Sequence, residues 1–264
     1  ISQLNFDQKH KGVVAYSSGN HAQAVAYASK ITGISSKIIM PESAPKIKIE
    51  NTKKYGAKVI LYNTLNDNRE EIGDKIAKDE GRTLIKPYDD LDIIAGQGTS
   101  GKEIAEELIR LNIIPDTYLC CCGGGGLIAG TSTYLNYCFP DIECYSVEPE
   151  NFDDTKISLE KNSITRINEG SKSICDALLA PQPGDITFSI NKKILVKGLS
   201  VSDEEVKKSI IQLAENLKLV VEPGGAVAAA ALLNNKIDTT DKTIVVMISG
   251  GNIDNSLFSK IVME

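Results

Sequence analysis

Residues Asp116–Gly130 read D-T-Y-L-C-C-C-G-G-G-G-L-I-A-G. Tyr118–Cys122 is a short run of β-formers and cysteines of a length that suits a buried strand, and Leu127, Ile128 and Ala129 open a helical pattern. Between them stand Gly123, Gly124, Gly125 and Gly126. A strand, a glycine turn and a helix start make an anion site, because backbone without Cβ atoms bends tightly and its N–H groups converge on a phosphate at the positive helix end. A flexible linker or a purely structural turn is the plainer alternative, but linkers are rarely flanked so closely by an apolar strand and helix. No Lys-Ser or Lys-Thr follows the glycines, which excludes the P-loop, and the third glycine of G-x-G-x-x-G is missing. The spacing predicts a compact cup for one phosphate.

Outward from this stretch, 264 residues suffice for one large or two modest domains. The formal charge of −6 and the lack of a basic stripe interleaved with aromatics argue against nucleic-acid binding. No apolar run is long enough to span a bilayer, since Leu219–Leu233 is broken by Glu222, Pro223 and two glycines. No secretory leader is read. Of the six cysteines, Cys120, Cys121 and Cys122 are consecutive in one strand, which suits neither a disulfide framework nor C-x-x-C metal spacing. Reduced, buried cysteines in a cytoplasmic protein are expected.

Strand and helix patterns alternate along the chain. Strands are expected over 12–18, 37–40, 57–62 and 83–86, with helices over 20–31, 46–55 and 67–80. These units imply a parallel sheet covered by helices on both faces. A loop over 87–95 precedes a helix from Gly98 to Leu111. Then come the cup strand and its helix, a strand over 142–147, and an irregular stretch from Phe152 to Gly184. Beyond it a strand covers 195–199. Ser202 and Glu205 form a capping-box pattern for a helix to Leu217, an Ala-rich helix runs to Leu233, and a strong strand over 243–248 leads into Ser249-G-G-N. The expected fold is α/β, as two αβα domains with open, mostly parallel sheets. A small domain takes residues 12–90, and a large cofactor-binding domain takes 1–11 and 91–264.

Three strand ends run into small polar clusters: Ser17-S-G-N-H, the glycine turn, and Ser249-G-G-N. Ligands of open parallel sheets bind at the carboxyl ends of strands. Each cluster alone is an ordinary turn, and jointly they predict one cleft for a phosphorylated cofactor.

With S-S-G-N-H-A-Q-A (17–24), I-I-M-P-E-S-A-P-K-I-K (38–48), Y-G-A-K-V (55–59), I-A-G-Q-G-T (94–99), the glycine turn, E-P-G-G-A (222–226) and I-S-G-G-N (248–252) in order, the chain resembles the fold-type II pyridoxal-phosphate enzymes. The resemblance is to their serine/threonine dehydratase and serine racemase group, which share the fold of the tryptophan synthase β chain. It implies pyridoxal 5'-phosphate held by Gly123–Gly126 and the Leu127 amide. Asn20 would meet the phenolic oxygen of the cofactor, Glu222 its edge, and Ser249 its pyridine nitrogen. Ser17, Ser18, Gly19 and Asn20 would receive the substrate carboxylate, as hydroxyls and N–H groups at a helix start are suited to do. Asn20 is equally a helix cap, Ser249 a turn former and Glu222 a helix-end charge by residue type alone. His21, in the first turn of a helix, is expected to pack or cap and not to act as a base. For Glu148-P-E-N-F-D-D, spacing alone favours a solvated acidic loop. The resemblance instead implies a Mg²⁺ or Ca²⁺ site of Glu148, the Phe152 backbone oxygen and Asp154.

The sequence departs from the family in one respect. These enzymes carry their Schiff-base lysine in F-K-x-R-G-A, which is absent here, and Ile1–Asn5 reads as the continuation of the helix that follows it. The expectation is therefore an N-terminally incomplete copy with no catalytic lysine of its own, and no appended regulatory domain after Glu264. The resemblance implies an ammonia-lyase that turns L-threonine, L-serine or 3-hydroxyaspartate into a 2-oxo acid and ammonia. A serine racemase with Ser18 as second acid/base is the first alternative, and a lysine-less ligand-binding pseudoenzyme the second. It further implies a homodimer with a small amino-acid substrate.

Overall fold

A computed structural model of the chain describes residues 1–17, 19–167 and 170–263. Its contacts divide the chain into two compact units, Ile1–Pro87 and Tyr88–Glu264. Residues 1–11, which the sequence reading grouped with the large domain, lie within the first of these.

In the first unit, helices α1 (Phe6–Lys11), α2 (Asn20–Thr32), α3 (Lys46–Lys54) and α4 (Arg69–Glu80) alternate with strands β1 (Val13–Tyr16), β2 (Ser36–Pro41), β3 (Lys58–Tyr62) and β4 (Thr83–Ile85). The sheet has order β3-β2-β1-β4, with every pairing parallel. Val13, Val14, Ala15, Ile38, Ile39 and Met40 on the central strands are fully buried, as strands covered on both faces require. Left-handed Gly33 and Gly81 end α2 and α4. The expected helix over Ile1–Asn5 is absent. Asn5 instead caps α1, accepting the Gln8 N–H while Gln8 accepts the Asn5 N–H, both at 2.9 Å.

The second unit contains helices α5 (Leu91–Leu111), α6 (Gly126–Cys138), α7 (Asp154–Lys161), α8 (Asp185–Ile194), α9 (Asp203–Leu217), α10 (Pro223–Leu233) and α11 (Asn255–Met263). Strands β5 (Thr117–Cys121), β6 (Glu143–Pro149), β7 (Leu195–Val201) and β8 (Ile244–Val246) form an all-parallel sheet in the order β7-β6-β5-β8. All of β5 is buried, and its cysteines are free thiols serving as small apolar side chains. From Pro223 to Ala231 every residue of α10 is buried, because alanine side chains let this helix lie close against the sheet.

Two sequence expectations differ from the structure. The loop over 87–95 and a start at Gly98 give way to a helix that begins at Leu91, capped by Asp90, which accepts the Asp92 and Ile93 N–H groups. The glycines of G-Q-G-T-S-G lie inside this helix. A Cβ on Gly101 would stand 2.6 Å from the Thr131 carbonyl oxygen, and one on Gly130 would stand 2.2 Å from that of Ile94. Glycine therefore lets α5 and α6 touch backbone to backbone. The irregular stretch 152–184 contains α7 and a 3-10 turn at Asp176–Leu178, and α8 follows it directly. Neither α7 nor α8 has a side-chain cap from its own sequence neighbours. Both are capped by distant carboxylates, a signal that local sequence cannot carry.

Candidate functional site

Parallel pairing puts the carboxyl ends of β6, β5 and β8 on one edge of the second sheet. Glu148 lies near the end of β6, the glycine turn follows β5, and Ser249 follows β8.

The turn is built from both sides. Gly125 has φ +91°, the left-handed region, and stands at the N-cap of α6, where no side chain caps the helix and no acidic residue occupies the first turn. A Cβ on Gly124 would meet the Tyr88 ring at 2.4 Å, and one on Gly125 would meet Asn191 Nδ2 at 2.8 Å. The backbone of Gly124 and Gly125 is thus enclosed, by Tyr88 on one side and α8 on the other. From α8 the Thr187 hydroxyl donates to the Gly124 carbonyl at 2.7 Å, and Asn191 Nδ2 donates to the Gly125 carbonyl at 3.3 Å. Asp89, next to Tyr88, accepts the Ile186 and Thr187 N–H groups at 2.8 and 3.2 Å and so anchors the start of α8. An uncapped helix start behind a turn with no room for side chains fits a phosphate.

Ser249 is tied to β5. Its hydroxyl accepts from the Cys121 thiol at 3.1 Å. Hydrogen bonding by Cys120, and then by Ser249, holds the Cys121 thiol below the ordinary range against the upward push of burial and of the Glu222 charge. Cys120 and Cys122 are pushed well above it, chiefly by burial. Glu222 is the N-cap residue of α10, with a buried side chain and its N–H donating to the Gly250 carbonyl at 3.0 Å.

The acidic segment is not a solvated loop. Glu148 and Asp154 are both fully buried. Glu148 accepts the Thr155 and Lys156 N–H groups, each at 2.8 Å, and thereby caps α7. Burial, and then the Asp154 carboxyl, push Glu148 well above the carboxylate range, and burial pushes Asp154 up to about 8. Neither Asp154 oxygen has a hydrogen-bond partner. Among the described residues no group of three His, Cys, Asp or Glu side chains could hold a metal, so a cation here needs backbone oxygen or water as further ligands. Phe152 is buried in the same turn, its N–H donating to the Pro149 carbonyl.

In the first unit, Gly19 is the N-cap of α2 and Asn20 its first residue. The Gly19 N–H donates to Ser17 Oγ at 3.2 Å. Ser18 lies outside the described residues. The sequence reading gave Lys48 no role, yet it is fully buried, and a Cβ on Gly19 would stand 3.2 Å from its Nζ. His21 Nε2 lies 3.3 Å from the Ile85 carbonyl, in keeping with a packing role.

Thr187, Asn191, Asp89 and Tyr88 also went unmarked in the sequence, and Cys121 was read only as a buried thiol. The signal for α8 was present: Thr187, Phe188 and Asn191 recur at helical spacing just past P-Q-P-G-D and form its buried face.

The family model for pyridoxal-phosphate dependent enzymes matches residues 1–250. The chain belongs to this family. Within it the chain falls in the fold-type II serine/threonine dehydratase and serine racemase group. This pyridoxal-phosphate enzyme is 43% identical to serine racemase of Schizosaccharomyces pombe over 96% of its own length and 77% of the relative's. It is 39% identical to L-threo-3-hydroxyaspartate ammonia-lyase of Saccharomyces cerevisiae, over 99% of its length and 79% of the relative's. The solved structure of the T.th. threonine deaminase superposes with a TM-score of 0.88 at 37% identity, covering 96% of this chain and 80% of that one.

Proposed function

We propose that the chain is a pyridoxal-phosphate-dependent ammonia-lyase of small β-hydroxy amino acids, which yields a 2-oxo acid and ammonia. The observation that carries this reading is the enclosed glycine turn at the uncapped start of α6, joined to relatives that are ammonia-lyases and a racemase. Bound pyridoxal phosphate supplies an electron sink that lowers the cost of negative charge at the substrate α-carbon. The N–H groups of Gly123–Gly126 and of Leu127 hold the cofactor phosphate. Ser249, a neutral hydroxyl, faces the pyridine nitrogen and leaves the ring a milder sink than a carboxylate would. Asn20 bonds the phenolic oxygen without changing protonation state, and Glu222 borders the ring. Ser17, Ser18, Gly19 and Asn20 bind the substrate carboxylate. Glu148, the Phe152 carbonyl and Asp154 hold Mg²⁺ or Ca²⁺, a reading supported by the two unpartnered oxygens of buried Asp154. The working form is a cytoplasmic homodimer.

The second reading is serine racemase, favoured by the identity to the Schizosaccharomyces pombe enzyme. Ser18 then delivers a proton to the opposite face of the α-carbon. Incubation with L-serine, L-threonine and L-threo-3-hydroxyaspartate, scoring 2-oxo acid against D-serine, separates the two readings. Ser18→Ala removes D-serine formation more severely than dehydration if Ser18 is the second acid, and slows both equally if it only binds the carboxylate. Cofactor binding with neither product would instead mark a ligand-binding pseudoenzyme.

A further inference from the structure

Two α8 side chains reach the glycine turn from its protein side. Thr187 and Asn191 are fully buried, one helical turn apart on the same face. The Thr187 hydroxyl donates to the Gly124 carbonyl at 2.7 Å, and the Gly184 carbonyl, 3.1 Å away, is its longer alternative. Asn191 Nδ2 donates to the Gly125 carbonyl, which also takes the first bond of α6 from the Ala129 N–H at 3.0 Å. No peptide bond among the described residues is cis. In a trans peptide the N–H points opposite to the carbonyl. Drawing the Gly124 and Gly125 carbonyls toward α8 therefore turns the Gly125 and Gly126 N–H groups away from it, out of the protein side of the turn.

We infer that Thr187 and Asn191 are positioning residues that set the direction of the Gly125 and Gly126 amides and so the affinity of the turn for a phosphate group.

The chemistry of the two side chains supports this assignment. Asn191 Oδ1 is buried with no hydrogen-bond partner. An apolar side chain would fill that space without a stranded polar atom, so the Nδ2 contact to Gly125 is what the position gains from an amide. Glycine in the turn has the widest choice of backbone angles of any residue, so the direction of its N–H groups must be fixed from outside. The α8 start is itself held by Asp89, which makes it a rigid support.

The inference rests on the reading of the turn as the holder of the cofactor phosphate. Its test compares pyridoxal phosphate with pyridoxal, which lacks the phosphate, by equilibrium titration of the purified protein and its variants. Wild type binds the phosphorylated form more tightly, and no preference would overturn the phosphate reading itself. Thr187→Val, which keeps shape and loses the hydroxyl, weakens pyridoxal phosphate about tenfold while leaving pyridoxal unchanged. Thr187→Ser restores binding to within about threefold of wild type, since it keeps the donor. Asn191→Leu gives a phosphate-specific loss of the same kind and carries the test if Thr187→Val does not fold by circular dichroism. A wild-type preference that survives unchanged in folded Thr187→Val or Asn191→Leu would overturn the inference, as would equal losses for both ligands.

Discussion

The Cys121 thiol donates to the Ser249 hydroxyl across 3.1 Å, joining the ends of β5 and β8. Its neighbours Cys120 and Cys122 are pushed up by burial, whereas Cys121 is held down by its hydrogen bonds. Cys120, Cys121 and Cys122 are all buried, so a small alkylating reagent should leave all three unlabelled in the folded protein and label them on unfolding, as peptide mass mapping would reveal. Rapid labelling of any of the three in the folded protein would contradict their burial.

Glu148 and Asp154 bury two carboxyls side by side, with both Asp154 oxygens unpartnered. A divalent cation bound there would relieve that arrangement, and binding to the folded state alone would raise stability. Millimolar Mg²⁺ or Ca²⁺ should raise the thermal midpoint, EDTA should reverse the rise, and Asp154→Asn should abolish it. A midpoint indifferent to EDTA and to both ions would remove the metal from the account.

His21 is lowered from 6.5 to about 4, chiefly by burial, with the Ile85 carbonyl opposing. The neutral ring is the folded form, so the unfolded chain binds the extra proton. Stability from this group is fully present above pH 6.5 and is lost as the pH falls toward 4. The ring keeps partial exposure, so the loss is at most about 3 kcal/mol. Denaturant melts of wild type and His21→Gln between pH 7 and pH 4 measure it, and identical pH slopes would show that His21 does not contribute.

The α5–α6 contact depends on glycine. With a Cβ only 2.6 Å from the Thr131 carbonyl oxygen, Gly101→Ala should cost about 1–3 kcal/mol in urea unfolding despite alanine's better helix propensity. A stabilised variant would mean that the helices separate at little cost.

These helices also illustrate what was legible in the sequence. β1 to β4, the Ser202–Glu205 capping box and the glycine turn were readable because their signals are local: apolar runs, a cap with its partner three residues on, and glycines at a helix start. The first two turns of α5 were not, because G-Q-G looks like punctuation until a second helix is laid against it. α7 and α8 lacked a readable start for a related reason. Their caps, Glu148 and Asp89, are respectively seven or eight and 97 or 98 residues from the N–H groups they accept, distances set by the fold. The burial of Lys48, Glu148 and Asp154 was equally invisible, since charged residues are ordinarily exposed.

The glycine turn is the proposed holder of the cofactor phosphate. The most direct measurement is the amide spectrum of ¹⁵N-glycine-labelled protein, with turn resonances assigned by pairwise labelling, during titration with pyridoxal phosphate and then with pyridoxal. The prediction is that the Gly125 and Gly126 amides move strongly with pyridoxal phosphate and little with pyridoxal. Saturable binding of pyridoxal phosphate that leaves both amides where they were would contradict it.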